Sequence, residues 1–263
     1  MPKAVEIFGT GPRRAVALHC SLARGSAWGP LGARLGDLLT LEAPDLTGHG
    51  DAPDWVPEVA YHEQALAIID KIVGPGPVDL FGHSLGAVLA LAFAVKNPAR
   101  VQSLILYEPV LFAALDDRAP KLKTQSRDQL ADVLAFLSQG DREEAAKVFT
   151  SVWGGSQSWD QIPAGQRDYI AKRIHLIPAG NPLLYEDASG ILAPGALEAV
   201  KAPALVLHGD CSPAAAGVIQ EVLEVRLPNA RRCEIKGGGH MAPITRSAEV
   251  AALVRPFLTN FGA

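Results

Sequence analysis

Short apolar runs rich in Val, Leu and Ile alternate with helical patterns along most of this 263-residue chain. The runs are Ala15 to His19, Leu38 to Ala43, Val78 to Phe81, Val101 to Tyr107, Ala204 to His208 and Cys233 to Ile235. Parallel neighbours need a crossover connection, usually a helix, so this alternation predicts an α/β fold with a mostly parallel, doubly wound sheet. Several runs lack polar alternation, as expected of strands covered by helices on both faces. Val5 to Phe8, followed by Gly9-Thr10-Gly11-Pro12, is expected to form an edge hairpin leading into the first core strand. Connecting helices are expected over Tyr61 to Val73, Leu85 to Asn97, about Ala215 to Leu227, and Ala248 to Asn260.

The alternation stops at about residue 111 and resumes at about residue 201. Residues 1–110 and 201–263 are therefore expected to form the core, and 111–200 an inserted helical cap. Amphipathic helices are expected over Arg127 to Leu137 and Arg142 to Val152, with Asp141-x-x-Glu144 resembling a capping box. An insertion after a strand end sits over the carboxyl edge of an open sheet, where ligands bind. Leu111, Phe112, Trp153, Trp159, Ile174, Leu176 and Leu183 make it rich in apolar surface, most of it for its own packing and the rest for lining a pocket.

Phe81-Gly82-His83-Ser84-Leu85-Gly86 runs from an apolar strand through Gly-x-Ser-x-Gly into a small-residue helix. That context makes Ser84 a candidate nucleophile, carried on a strained turn with its hydroxyl exposed and helix N–H groups beyond it. A serine hydroxyl needs an imidazole to take its proton and a third group to fix that imidazole's tautomer. His240, in Gly237-Gly238-Gly239-His240-Met241 after the last strand, is the candidate base. The glycine run is no phosphate cradle, because no Lys-Ser/Thr follows it.

These pieces together resemble an α/β-hydrolase-fold protein with a cap, a capped serine hydrolase of the esterase kind. They are Leu18-His19, Ala43-Pro44-Asp45-Leu46-Thr47-Gly48-His49-Gly50, the Ser84 elbow, His208-Gly209 and Gly239-His240. The resemblance spans essentially the whole length. It implies Ser84 as nucleophile, His240 as base, and an oxyanion hole from the backbone N–H groups of Leu85 and Ser21. Cys20 replaces the glycine that usually follows the histidine of that loop.

The acid is less direct. The family most often places it at the end of Gly-x-x-Asp after the late strand, but here the sequence reads Gly209-Asp210-Cys211-Ser212, with Ser212 in the acid's position. Two carboxylates are available as substitutes. Glu108 ends the strand that follows the elbow helix and is favoured; Asp210, two residues early, is the alternative. Haloalkane dehalogenases, which are capped relatives, carry their acid after the strand that Glu108 follows, although they use an aspartate nucleophile that Ser84 excludes here.

Composition trims the remaining classes. A net charge of −4, with Arg13-Arg14 and Arg231-Arg232 as isolated basic pairs, argues against a nucleic-acid surface. The longest apolar stretch, Val88 to Val95, is too short for a bilayer, and no basic segment followed by an apolar one opens the sequence, so no membrane partner and a cytoplasmic location are expected. Cys20, Cys211 and Cys233 match neither a disulfide framework nor a zinc site. Asp45, His49 and Asp51 superficially resemble metal ligands but read as a structural turn, and His62-Glu63 lacks a zincin's second histidine. The expectation is a hydrolase without cofactor or metal, monomeric or homodimeric, acting on a small molecule. Its substrate would be an apolar carboxylic ester, thioester or lactone, cleaved through an acyl-enzyme. The alternatives are a C–C bond hydrolase of β-diketones or ring-cleavage products, and a non-catalytic hydrolase-like ligand-binding protein.

Overall fold

A computed structural model describes residues 4–155 and 157–260. Its seven strands are β1 (Val5–Phe8), β2 (Arg13–Leu18), β3 (Leu39–Pro44), β4 (Val78–His83), β5 (Val101–Tyr107), β6 (Ala204–Gly209) and β7 (Ala230–Ile235). They form one sheet in the order β1-β3-β2-β4-β5-β6-β7, parallel except for β1, which runs antiparallel to β3. The expected edge strand is present, but the expected hairpin with β2 is not. The segment after β1 turns at Gly9 (φ +77) and hydrogen-bonds to the chain entering β3, through Thr10 N–H to Gly36 O and Gly11 N–H to Leu39 O. A Cβ on Gly11 would lie 2.1 Å from the Leu38 carbonyl carbon, so this close crossing depends on glycine.

Helices cover both faces. On one side α1 (Gly29–Leu35) packs with the C-terminal α11 (Ser247–Asn260) over Ala15, Leu41, Phe81 and Ile105. On the other, α2 (Tyr61–Val73), α3 (Leu85–Lys96) and α9 (Ala214–Arg226) pack over Val16, Leu18, Leu80 and Leu104. Every residue of β4 is buried, which is why its sequence shows no period of two. α3 is buried around almost its whole circumference, consistent with its near-continuous apolar sequence.

Between β5 and β6 lie α4 (Pro120–Ser138), α5 (Arg142–Trp153), α6 (Ala164–Arg173), α7 (Leu176–Ala179) and α8 (Asn181–Glu186), with no strand among the described residues. α4 starts seven residues before the expected point. Its first turns are largely polar, and Pro120 sits where a missing N–H costs nothing. Asp141 caps α5 by accepting the Glu144 N–H at 3.1 Å, but its own N–H goes to Phe136 O, so the cap is one-sided rather than a reciprocal box. Val133, Ala145, Trp159, Ile170 and Ile174 form a separate small core, joined by Leu22 from the loop after β2. Tyr169 and Arg173 of α6 tie this insertion down by hydrogen bonds to the Ala23 and Gly48 carbonyls. A four-residue α10 (Ala242–Thr245) follows β7. Among the described residues, no helix is long and apolar enough to cross a membrane.

Candidate active site

The strand order reverses between β2 and β4, and the loops leaving those two neighbours open a crevice at the carboxyl edge of the sheet. Ser84 leaves β4 there with φ 58 and ψ −118, a strained conformation for a residue with a Cβ. Its N–H donates to Tyr107 O at 2.9 Å, and its carbonyl accepts from Ala87 and Val88, which starts α3. The flanking glycines are sterically required. A Cβ on Gly82 would sit 2.4 Å from Ala87 Cα, and one on Gly86 2.2 Å from Leu18 O. The first N–H groups of α3, including that of Leu85, have no acceptor within the helix and face the crevice end.

Glu108 leaves β5 with φ 44, again in the left-handed region, and its side chain is 0% exposed. Its Oε2 accepts from His240 Nδ1 at 2.7 Å. Its Oε1 accepts from the Gly209 N–H at 2.9 Å and from the Ser212 hydroxyl. Burial alone would raise the carboxyl pKa, but the hydrogen bond and charge of His240, with the Ser212 and Gly209 donors, hold it below its ordinary value. Asp210, the alternative acid, is turned elsewhere: its carboxylate accepts from Gly237 N–H at 2.6 Å and from the Cys211 thiol, organising the loop after β7.

The segment carrying His240 is pinned at two successive carbonyls. Tyr107 Oη donates to Gly239 O at 2.8 Å, and His83 Nε2 donates to His240 O at 2.7 Å. His83 immediately precedes Ser84, so this bond ties the His240 backbone to the elbow. With Nδ1–H committed to Glu108, the other ring nitrogen, Nε2, carries the lone pair a base needs. The indole of Trp153, the last residue of α5, lies edge-on to the His240 ring with centroids 4.8 Å apart.

The loop after β2 is braced by two neutral imidazoles. His19 donates from Nδ1 to Cys20 O at 2.7 Å and accepts the Leu46 N–H at Nε2; His49 donates to Thr47 O and accepts the Leu22 N–H at 3.0 Å. Each ring therefore needs one bare nitrogen, and burial holds His19 at about 4 and His49 at about 3. Leu22 adopts φ 61, the third strained residue around the crevice. Asp45 accepts the N–H groups of Gly25 and Asp51, a role in folding the two loops against each other. The Cys20 thiol is buried and its pKa is pushed up to about 12 by burial, so it acts as a small apolar side chain.

Ser84, Leu85 and Ser21 together border a narrow cavity of about 60 Å³, whose other walls come mainly from the insertion, among them Leu130, Val148, Phe149, Trp153 and Leu184. The crevice thus holds the His240–Glu108 pair, tied to the elbow through the bond from His83 to His240 O, with Ser84, Leu85 and Ser21 on the adjoining cavity; no hydrogen bond joins the Ser84 hydroxyl to His240, and Asp210 is left out.

Residues 15–253 match the Alpha/beta hydrolase family. The chain belongs to that family. It is 29% identical over 262 residues to Lipase LipV of Mycobacterium tuberculosis, covering 95% of each chain. It is 26% identical over 268 residues to the pimeloyl-[acyl-carrier protein] methyl ester esterase of Aeromonas hydrophila, covering 98% of this chain and all of the relative. Among solved structures it resembles a thermophilic esterase from Thermogutta terrifontis with a TM-score of 0.70 at 23% identity, covering 99% and 94% of the two chains. This α/β hydrolase is thus related to lipases and esterases.

Its two departures from the family pattern have physical explanations in the site. Ser212 stands at the usual acid position and donates to Glu108; it does not accept from the imidazole. Cys20 occupies the loop position usually held by glycine without any ionised thiol near the crevice. The roles of Tyr107 and Trp153 were not foreseen from sequence. Tyr107 reads as one more apolar strand residue, and Trp153 as one of many apolar residues in the insertion.

Proposed function

We propose that this α/β hydrolase is a serine hydrolase that cleaves a small apolar carboxylic ester, thioester or lactone through an acyl-enzyme. Ser84 Oγ attacks the carbonyl carbon while His240 Nε2 takes its proton. Glu108 holds the imidazole in the required tautomer and stabilises the imidazolium that forms. The N–H groups of Leu85 and Ser21 receive the oxyanion, usually the largest electrostatic contribution in acyl transfer. As the tetrahedral intermediate collapses, the bond to the leaving oxygen or sulfur breaks, and His240 returns the proton to that atom. A water molecule, deprotonated by His240, then hydrolyses the acyl-enzyme and regenerates Ser84.

The observation that carries this reading is the 2.7 Å bond from His240 Nδ1 to a fully buried Glu108 beside a strained Ser84. Ester cleavage is favoured over C–C cleavage by the two relatives named above, one called a lipase and one a methyl ester esterase. The test is hydrolysis of a panel of activated esters, thioesters and lactones by the wild-type protein and by Ser84→Ala. Turnover that falls about a millionfold in the variant, by analogy with other serine triads, is the expected result. Undiminished turnover by Ser84→Ala would remove the nucleophile from the scheme.

A further inference from the structure

Ser84 and His240 border different cavities. Ser84 lies on the narrow cavity of about 60 Å³, and among the described residues no Asp, Glu, Lys, Arg or His lines it. His240 lies on a wide polar groove of about 740 Å³ with Arg246, Glu249, Thr245 and Gln157 on its walls. Trp153 touches both regions: it lines the narrow cavity, its ring packs against the His240 ring with centroids 4.8 Å apart, and its neighbours Val152 and Gly154 border the groove, while the Phe112 ring lies 6.0 Å from its own. The reaction gives these two spaces different jobs. The proton leaving His240 must reach the departing oxygen or sulfur, and the groove is the open space His240 borders, so the leaving group is assigned to that side. The acyl group then points the other way, into the narrow cavity. The polar side chains on its wall beyond Ser21 and Ser84 are the neutral Ser126, Gln129, Asn181 and Tyr185; with no opposite charge there to compensate a buried carboxylate or ammonium, the acyl group it accepts is uncharged.

Resting on the serine-hydrolase reading, we propose that the substrate binds with a thin, uncharged acyl chain in the Ser84 slot and its alcohol or thiol part in the His240 groove. Trp153 is the partition between the two and sets the length of acyl chain accepted. In acylation the Oγ–acyl bond forms and the bond from the acyl carbon to the leaving atom breaks. The serine proton goes through His240 to that atom, which departs by the groove without passing the indole.

The test uses two series of esters, one varying the acyl chain from acetate to laurate with a fixed p-nitrophenyl leaving group, the other varying the alcohol with a fixed short acyl group. The wild type should show a sharp fall in kcat/KM beyond a limiting acyl length and a shallow response to the alcohol. Trp153→Ala should raise the ratio for the first excluded acyl homologue over the longest accepted one by about tenfold or more, the size of effect one methylene has at a hydrophobic wall. The alcohol series should keep its profile. Trp153→Phe, which retains an aromatic ring at the site, should shift the limit in the same direction by less. A merely structural role would lower every substrate alike and leave the limit in place, and that result would overturn the proposal, as would a limit that moves in the alcohol series. Calorimetric titration of Ser84→Ala, with and without Trp153→Ala, using the same acyl series reads the limit as binding. Failure of all esters to turn over would refute the hydrolase reading, whereas an acyl limit in binding that ignores residue 153 would refute the partition.

Discussion

Replacing Glu108 by Gln isolates the orienting charge from the shape of the side chain. In the native site one carboxylate oxygen faces two donors, the Gly209 N–H and the Ser212 hydroxyl, and the other faces His240 Nδ1. A glutamine has a single carbonyl oxygen. The Gly209 N–H is a fixed backbone donor, so it claims that oxygen, and the amide NH2 is left facing His240. The imidazole must then accept at Nδ1 and carry its proton on Nε2, the wrong tautomer for taking a proton from Ser84. Such a tautomer error costs about four orders of magnitude in kcat, or about 5 kcal/mol of transition-state stabilisation. The assay is kcat/KM on an ester that the wild type turns over quickly, with thermal melting to show that the variant is folded. Asp210→Asn is the matched control. Its carboxylate serves Gly237 and Cys211, an amide oxygen can still accept the Gly237 N–H, and activity should stay within a few-fold. A folded Glu108→Gln enzyme with more than a tenth of wild-type activity, or an Asp210→Asn enzyme crippled while Glu108→Gln is not, would refute this reasoning.

Ser212→Ala removes one donor to a buried carboxylate and leaves Gly209 in place; a hydrogen bond to a charged group is worth about 1.5–3 kcal/mol, so kcat should fall about ten- to a hundredfold with little change in KM. An unchanged kcat would deny Ser212 its part in aiming Glu108. Acid should destabilise the fold from below neutrality. Burial holds His19 at about 4 and His49 and His83 at about 3, below their ordinary value of 6.5. The unfolded chain binds protons there that the folded chain refuses, so stability is full above pH 6.5 and is lost as pH falls toward 4. His19 alone accounts for about 3 kcal/mol at the acid end. Glu108, whose pKa is lowered by folding, adds a loss of the same sign below its ordinary 4.5. Thermal melts from pH 7.5 to 4 should show a steady fall in Tm, and a flat profile would contradict the neutral, buried histidines.

Much of the molecule was readable from its sequence because its strands and helices obey strong local rules. The runs at Val78 and Val101 are apolar, short and flanked by turn residues, and both strands begin where expected. The connectivity of β1 was not readable, because pairing with β3 instead of β2 is decided by backbone crossings of Gly9 with Gly36 and Gly11 with Leu38 that no period records. The first turns of α4 were missed because they lack an apolar stripe. At the site, Ser84 and His240 were visible through local context, since a tight elbow and a glycine-rich loop leave marks within a few residues. Glu108 and Asp210 could be ranked but not resolved, because which carboxylate meets the imidazole depends on loops more than a hundred residues apart. Tyr107 and Trp153 bear on the His240 segment only through tertiary contact, and nothing in their neighbours announces it.

The central claim is that Ser84 is a nucleophile activated by a Glu108-oriented His240. The most direct measurement is covalent labelling with a fluorophosphonate, followed by peptide mapping of the adduct. The account predicts one adduct, on Ser84, formed rapidly by the wild type, slowed by orders of magnitude in Glu108→Gln and abolished in Ser84→Ala. A folded protein that hydrolyses esters yet is labelled at another residue, or whose Ser84 is labelled at the same rate whether or not Glu108 is present, would contradict it.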